Sequence, residues 1–199
     1  CDLADPKQQP ALVARAFEKL DRIDAWIHLA GIDVLTGDAA KWDFETKLRK
    51  LFEIDVLAAI HVCRRVANVW RGKHQTPVPS ITLVGWDQAT RGMEGDAGQM
   101  FGPVKAAVTA FGLSLAQDVA PEVRVNVVSP GWIRTSWGES TDEYWDRRAR
   151  EQALMGRWGT PEDVARAVAF AADPLNSFCT GQVIEVNGGF SRRFAGDAK

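Results

Sequence analysis

Apolar positions along this chain fall into two alternating patterns, one with the period of a helix and one with the short continuous runs of a buried strand. Over residues 10–20, Leu12, Val13, Ala16, Phe17 and Leu20 lie on one helical stripe. Residues 23–29 form an apolar run containing Trp26 and Ile27, closed by Ala30-Gly31, and this predicts a short buried strand. A long helical pattern follows over about 44–70. Its apolar residues, among them Leu48, Leu51, Val56, Ala59 and Val66, cover a face wide enough for burial on two sides. Gly72 and the Pro77/Pro79 pair end it. Residues 80–85 predict a second strand, 99–119 a helix after a glycine-rich loop, and 123–128 a third strand broken by Ser129-Pro130-Gly131. A tryptophan-rich segment, 132–158, is expected to be part helix and part loop. Thr160-Pro161-Glu162-Asp163 then supplies an N-cap, a proline at the first helical position and an acidic third residue. That helix should stop at Asp173-Pro174. A last strand is expected over 182–186, stopped by Asn187-Gly188-Gly189.

Strands alternating with helices imply parallel strands joined by right-handed crossovers, with helices on both faces of the sheet. The expected fold class is therefore α/β, a doubly wound parallel sheet forming one domain over 1–199. The first strand would be a bare edge, and a doubly wound nucleotide fold carries more strands on that side. The expectation is that a further N-terminal half-domain belongs before Cys1.

Composition narrows the function classes. The 199 residues are 46% hydrophobic and 25% charged, with a formal net charge of −2. Nothing here favours nucleic acid or an anionic membrane as partner, and no apolar run approaches the roughly 20 residues of a membrane span. Cys1, Cys63 and Cys179 are far apart and unpaired in pattern, so reduced cysteines and a cytoplasmic location are expected. His28, His61 and His74 have no metal-ligand spacing, and no metal is expected. Eight tryptophans stand against one tyrosine.

Six local signatures, in order, resemble the short-chain dehydrogenase/reductase family in its beta-ketoacyl reductase-like branch. Cys1-Asp2-Leu3-Ala4-Asp5 is similar to the acidic turn after the family's third strand. His28-Leu29-Ala30-Gly31 resembles a degenerate N-N-A-G turn. Phe101-Gly102-Pro103-Val104-Lys105-Ala106-Ala107 stands where the family has Y-x-x-x-K-A-A. Residues 123–131 are similar to its strand and P-G turn, with Thr135 as the threonine of P-G-x-x-x-T. Residues 157–165 and 181–189 resemble its C-terminal pattern. The resemblance implies a Rossmann-like fold of reductase type and a nicotinamide cofactor, NAD or NADP. It implies cofactor contacts at Asp2, Leu3, Ala30, Gly31, Lys105, Pro130, Gly131, Ile133 and Thr135. It also explains the expected truncation, because the family's glycine-rich phosphate loop is absent from these 199 residues. Two long helices, about 44–71 and 99–119, would build a homodimer or homotetramer.

The chemistry is where the chain departs from the resemblance. Carbonyl reduction needs a hydroxyl beside the reacting oxygen, and a lysine one helical turn away to ease its ionisation. Lys105 is present. Phe101 marks the lost tyrosine, the serine position falls on or beside Gly85, and Asp55 stands for the asparagine. Asp55 is expected either to be a buried structural carboxylate or to hold Lys105 as an ion pair. Asp87 is the acidic residue best placed to replace the tyrosine as a proton donor, against the plainer reading of a solvated or capping carboxylate. Tyr144 cannot share a helical face with Lys105. Gly92, Gly95 and Gly98 suggest an active-site rim rather than a phosphate cradle. Trp86, Trp132, Trp137, Trp145 and Trp158 imply either an apolar, aromatic-lined substrate pocket or a tryptophan-rich core beneath a lid.

Three readings follow. The chain is an oxidoreductase with an atypical centre acting on a small, apolar or aromatic molecule. Alternatively it is a non-catalytic dinucleotide sensor or partner subunit, or a scaffold without cofactor.

Overall fold

The computed structural model describes residues 1–139 and 141–190, apart from the side chain of Trp137. Four parallel strands form one sheet in the order β1 (Ala25–His28), β2 (Ser80–Val84), β3 (Arg124–Pro130), β4 (Val183–Val186). Every residue of β2 except its last is buried, and so is every residue of β3 except its last. A strand can be buried on successive residues only if both faces of the sheet are covered. One cover is the layer of α1 (Gln9–Lys19), α3 (Ala59–Trp70) and α4 (Gly95–Val119), and the other is α7 (Pro161–Ala172), which packs along all four strands. The core lies between the sheet and the first layer, around Leu51, Val62, Val66, Trp70, Leu83 and Val104. β1 is the sheet's open edge, and Ile27 on it is 42% exposed.

The expected helix over 44–70 is present but not uniform. α2 (Phe44–Leu51) passes into a π-helical segment, Phe52–Ala58, before α3 begins. Hydrophobic periodicity cannot register the extra residue of such a segment, and π-bulges often stand at functional sites. Here the segment carries Asp55. α4 starts four residues earlier than its apolar stripe suggests, at Gly95, and tolerates Pro103 near its N-terminal end. β3 runs on to Pro130, because its pairing with β4 continues to Val186. The tryptophan-rich segment contains α5 (Ser136–Glu139) and α6 (Glu143–Gln152).

α7 begins with the expected cap. The Thr160 hydroxyl accepts from the Asp163 backbone N–H, and the Asp163 carboxylate accepts from that of Thr160. Its far end is held by a residue hidden within the third strand. The buried Arg124 guanidinium donates to the backbone carbonyls of Ala171 and Asp173, at 3.0 and 3.1 Å. A cation on the last carbonyls of a helix is favoured by the helix dipole as well as by the hydrogen bonds. No helix among the described residues is long and apolar enough to cross a membrane.

Candidate active site

Ligands of open parallel α/β sheets bind beyond the carboxyl ends of the strands. In this chain, the segments leaving β2 and β3 converge there with the first turns of α4. They enclose a cavity of ≈ 480 Å³, within the roughly 300–1,000 Å³ usual for small-ligand sites.

Phe101 and Lys105 lie four residues apart on α4 and both wall this cavity. The Lys105 ammonium donates to Asp55 Oδ2 at 2.8 Å, while Asp55 Oδ1 accepts from the Ile32 backbone N–H at 2.9 Å. Asp55 is 4% exposed. The Ala30-Gly31 turn presses against the same carboxylate, since a Cβ on Gly31 would stand 3.0 Å from Asp55 Oδ2. The π-helical segment therefore aims one carboxylate at two elements, the turn after β1 and the lysine of α4. His28, buried at the end of β1, completes the group. Burial first, and then the Lys105 charge, hold its imidazole below the ordinary value, with Asp55 opposing in part. His28 is thus neutral near pH 7.

Trp86 meets Phe101 edge-on, with ring centroids 6.5 Å apart. Gly85 also reaches the cavity, but a side chain there would point elsewhere. An added Cβ would lie 2.7 Å from Ser129 Oγ and 2.8 Å from Thr109 Oγ1. Gly85 is consequently a close-packing position between strand and helix, and the residue facing Phe101 is its neighbour. The segment after β2 bends just there, which spacing alone does not reveal.

Pro130, Gly131, Ile133 and Thr135 wall the cavity on the β3 side. Gly131 is required by close approach, because a Cβ would fall 2.6 Å from that of Asn187. Asp2, Leu3, Ala30 and Gly31 lie outside the cavity wall. The Asp2 carboxylate accepts from the Ala4 backbone N–H, and Leu3 packs against the core.

Asp87 does not wall the cavity. It is 2% exposed and stands behind the Pro130-Gly131 turn, where its Oδ2 accepts from Asn187 Nδ2 at 3.1 Å. Its Oδ1 is buried with no hydrogen-bond partner among the described residues. Burial pushes its carboxyl up from 3.8 to about 6, despite the Asn187 bond. A carboxyl raised in this way favours the folded state while protonated. That stability is fully present below about 3.8 and is lost as pH rises through about 6. Asp87→Asn should remove the dependence. Denaturant unfolding between about pH 4 and about pH 7.5 is expected to show wild type losing on the order of 2–3 kcal/mol more than the variant. Equal pH dependence in the two proteins would contradict the buried, protonated Asp87.

Four of the five expected pocket tryptophans, Trp86, Trp132, Trp145 and Trp158, do wall the cavity. The Trp137 side chain lies outside the described residues. Trp132 packs against Trp145 and Trp158, with centroids 5.7 and 6.0 Å away. α6 fixes these rings. Trp132 Nε1 donates to Gln152 and Trp158 Nε1 to Asp146, each at 2.8 Å. Arg148, which the sequence reading missed, stands behind the cluster. Its buried guanidinium lies 5.2 Å from the Trp145 centroid and 5.8 Å from that of Trp132, and grips both oxygens of Glu94 at the N-cap of α4. Tyr144 is half exposed and faces Arg148 rather than the cavity.

The chain is similar over nearly its whole length to known proteins. The profile of the Enoyl-(Acyl carrier protein) reductase family matches residues 1–191. The 3-oxoacyl-[acyl-carrier-protein] reductase FabG of Aquifex aeolicus is 42% identical over 185 residues, covering 89% of this chain and 71% of that protein. A short-chain glucose/ribitol dehydrogenase structure from Brucella melitensis superimposes with a TM-score of 0.79 at 28% identity, over 95% of this chain and 74% of that one. A 7α-hydroxysteroid dehydrogenase solved with NADH and 7-oxo glycochenodeoxycholic acid shares the fold at a TM-score of 0.81 and 23% identity, over 96% and 72% of the two chains. The chain belongs to the short-chain dehydrogenase/reductase family, an oxidoreductase family of Rossmann-like fold.

Proposed function

We propose that this cleft binds a nicotinamide dinucleotide, NAD or NADP, and does not carry out tyrosine-dependent carbonyl reduction. One observation carries the reading. The ammonium of Lys105 is held by Asp55 at 2.8 Å, and the residue one helical turn before it is Phe101, which has no proton to give. Trp86, facing Phe101, has no hydroxyl either. Bound, such a cofactor supplies or accepts a hydride at its nicotinamide ring.

The residues present fit the nicotinamide half of that molecule. Lys105 keeps two of its three donors beyond the Asp55 bond, one of which suits a ribose hydroxyl. Thr135 offers a hydroxyl at the cavity, close to the Pro130-Gly131 turn that also walls it. The diphosphate half is matched by no G-x-x-x-G-x-G phosphate loop in these residues, so binding is measured on the full-length protein. Titration with NADH and NADPH, followed by tryptophan quenching and energy transfer to the nicotinamide, is expected to show saturable binding of one or both. Absence of both would leave a scaffold that keeps the fold alone.

The plainest form of this reading is a dinucleotide sensor or partner subunit, with a small apolar or aromatic molecule as second ligand. The family profile favours a second form. It is described as an enoyl reductase, and reduction of an activated carbon–carbon double bond needs the tyrosine less. Homo-oligomerisation fits the same reading, because Leu57 stays 48% exposed between the buried Val56 and Ala58 and Phe44 is 37% exposed on the same long helix.

A further inference from the structure

We infer that the second ligand of this cleft is a neutral, flat aromatic molecule carrying one acceptor oxygen, clasped between Trp86 and the Trp132–Trp145–Trp158 cluster. The inference rests on the dinucleotide reading in leaving Pro130, Gly131, Thr135 and one Lys105 donor to the cofactor, and the last Lys105 donor to the second ligand.

Three features of the cavity select this class. First, the walls offer carbon rather than hydrogen bonds. The indole N–H groups of Trp132 and Trp158 are committed to Gln152 and Asp146. Each ring of the cluster is also backed by a cation, Arg148 behind Trp132 and Trp145 and Arg134 at 5.6 Å from the centroid of Trp158. These contacts hold the rings, which wall the cavity, and there an aromatic guest gains offset or edge contacts that a saturated one of equal size lacks. Second, Lys105 is the one charged side chain in the wall among the described residues, and Asp55 neutralises it at 2.8 Å. The floor of the site therefore presents hydrogen-bond donors without net charge, so it favours a neutral oxygen over a carboxylate. Third, the anchor is single. Lys105 comes to the cavity on α4 with Phe101, and the cluster comes on the segments after β3 and adds no charge, so one oxygen at one end of a flat body satisfies both.

The test compares three probes of similar size, 2-naphthol, 2-naphthoate and decahydro-2-naphthol, by calorimetry with and without saturating NADPH. The expected result is that 2-naphthol binds about tenfold tighter than the saturated alcohol, and tighter than the carboxylate. Trp145→Leu should weaken 2-naphthol by about three- to tenfold and leave decahydro-2-naphthol unchanged, while Trp145→Phe retains the preference. Equal affinity for flat and saturated probes overturns the inference, as does preference for 2-naphthoate. Displacement of 2-naphthol by NADPH also overturns it, because the tryptophans would then receive the nicotinamide itself. The two readings fail separately. Aromatic preference without any NADPH binding removes only the dinucleotide reading, and NADPH binding without aromatic preference removes only this one.

Discussion

Replacing Phe101 with tyrosine and Trp86 with serine in one variant is expected to raise reduction of simple ketones by about 10²-fold or more, the usual scale of a positioned proton donor. The expectation follows from where the side chains stand. A hydroxyl added to the Phe101 ring enters the cavity one helical turn from Lys105, on the face that the lysine shares. Trp86 is the residue whose ring meets that of Phe101, so a serine there faces the new tyrosine across the space the indole vacates. The same serine at Gly85 would collide with Ser129 and Thr109. Phe101→Tyr/Gly85→Ser is consequently expected to lose stability and to gain nothing beyond Phe101→Tyr alone. The comparison is of steady-state kcat/KM for a small ketone across the four proteins. A gain from Gly85→Ser and none from Trp86→Ser would reverse the assignment.

The second large effect concerns the lysine. Lys105→Met removes the cation from a carboxylate that is 4% exposed, leaving a buried charge whose remaining donor among the described residues is the Ile32 backbone N–H. Removing one partner of a fully buried pair costs about 3–5 kcal/mol. The Lys105 side chain is 20% exposed, so solvent reduces the figure here to about 2–4 kcal/mol. For a domain of this size that lowers Tm by on the order of 5–15 °C. Adding Asp55→Asn should restore most of the loss, because an amide oxygen still accepts from Ile32 and carries no charge into the interior. The double-mutant cycle isolates the pair. Equal stability of Lys105→Met and wild type would mean that the ion pair is not formed in solution.

Much of the framework was legible in the chain because it rests on local rules. The capping box at Thr160 and Asp163 is written in four consecutive residues, and the Phe101/Lys105 spacing needs only the helical period. What escaped depends on departures from those rules or on contacts between distant segments. The π-helical turn at Phe52–Ala58 carries no signature in hydrophobic period, yet it brings Asp55 to Ile32 and Lys105. The bend after β2 decides whether position 85 or 86 faces Phe101, and one residue of ambiguity there separates a packing glycine from a cavity wall. Asp87 looked available because its loop is polar in sequence. It is buried because Asn187, 100 residues away, closes over it beside Gly131. Arg148 belongs to a helix that reads as solvated, EYWDRRAREQ, and only the fold brings it under two tryptophans and onto Glu94.

The central claim is that this site holds the cofactor's reactive ring beside Lys105 without a group that completes carbonyl reduction. Deuterium transfer tests it most directly. The full-length wild-type protein is incubated with saturated ketones and NADPH or NADH deuterated at the reactive carbon, at concentrations shown to saturate binding, and the alcohols are analysed by mass spectrometry. The account predicts no deuterated alcohol from wild type and a clear label from Phe101→Tyr/Trp86→Ser. Deuterated alcohol formed catalytically by the wild-type protein would contradict it, and would mean that another residue donates the proton that Phe101 cannot.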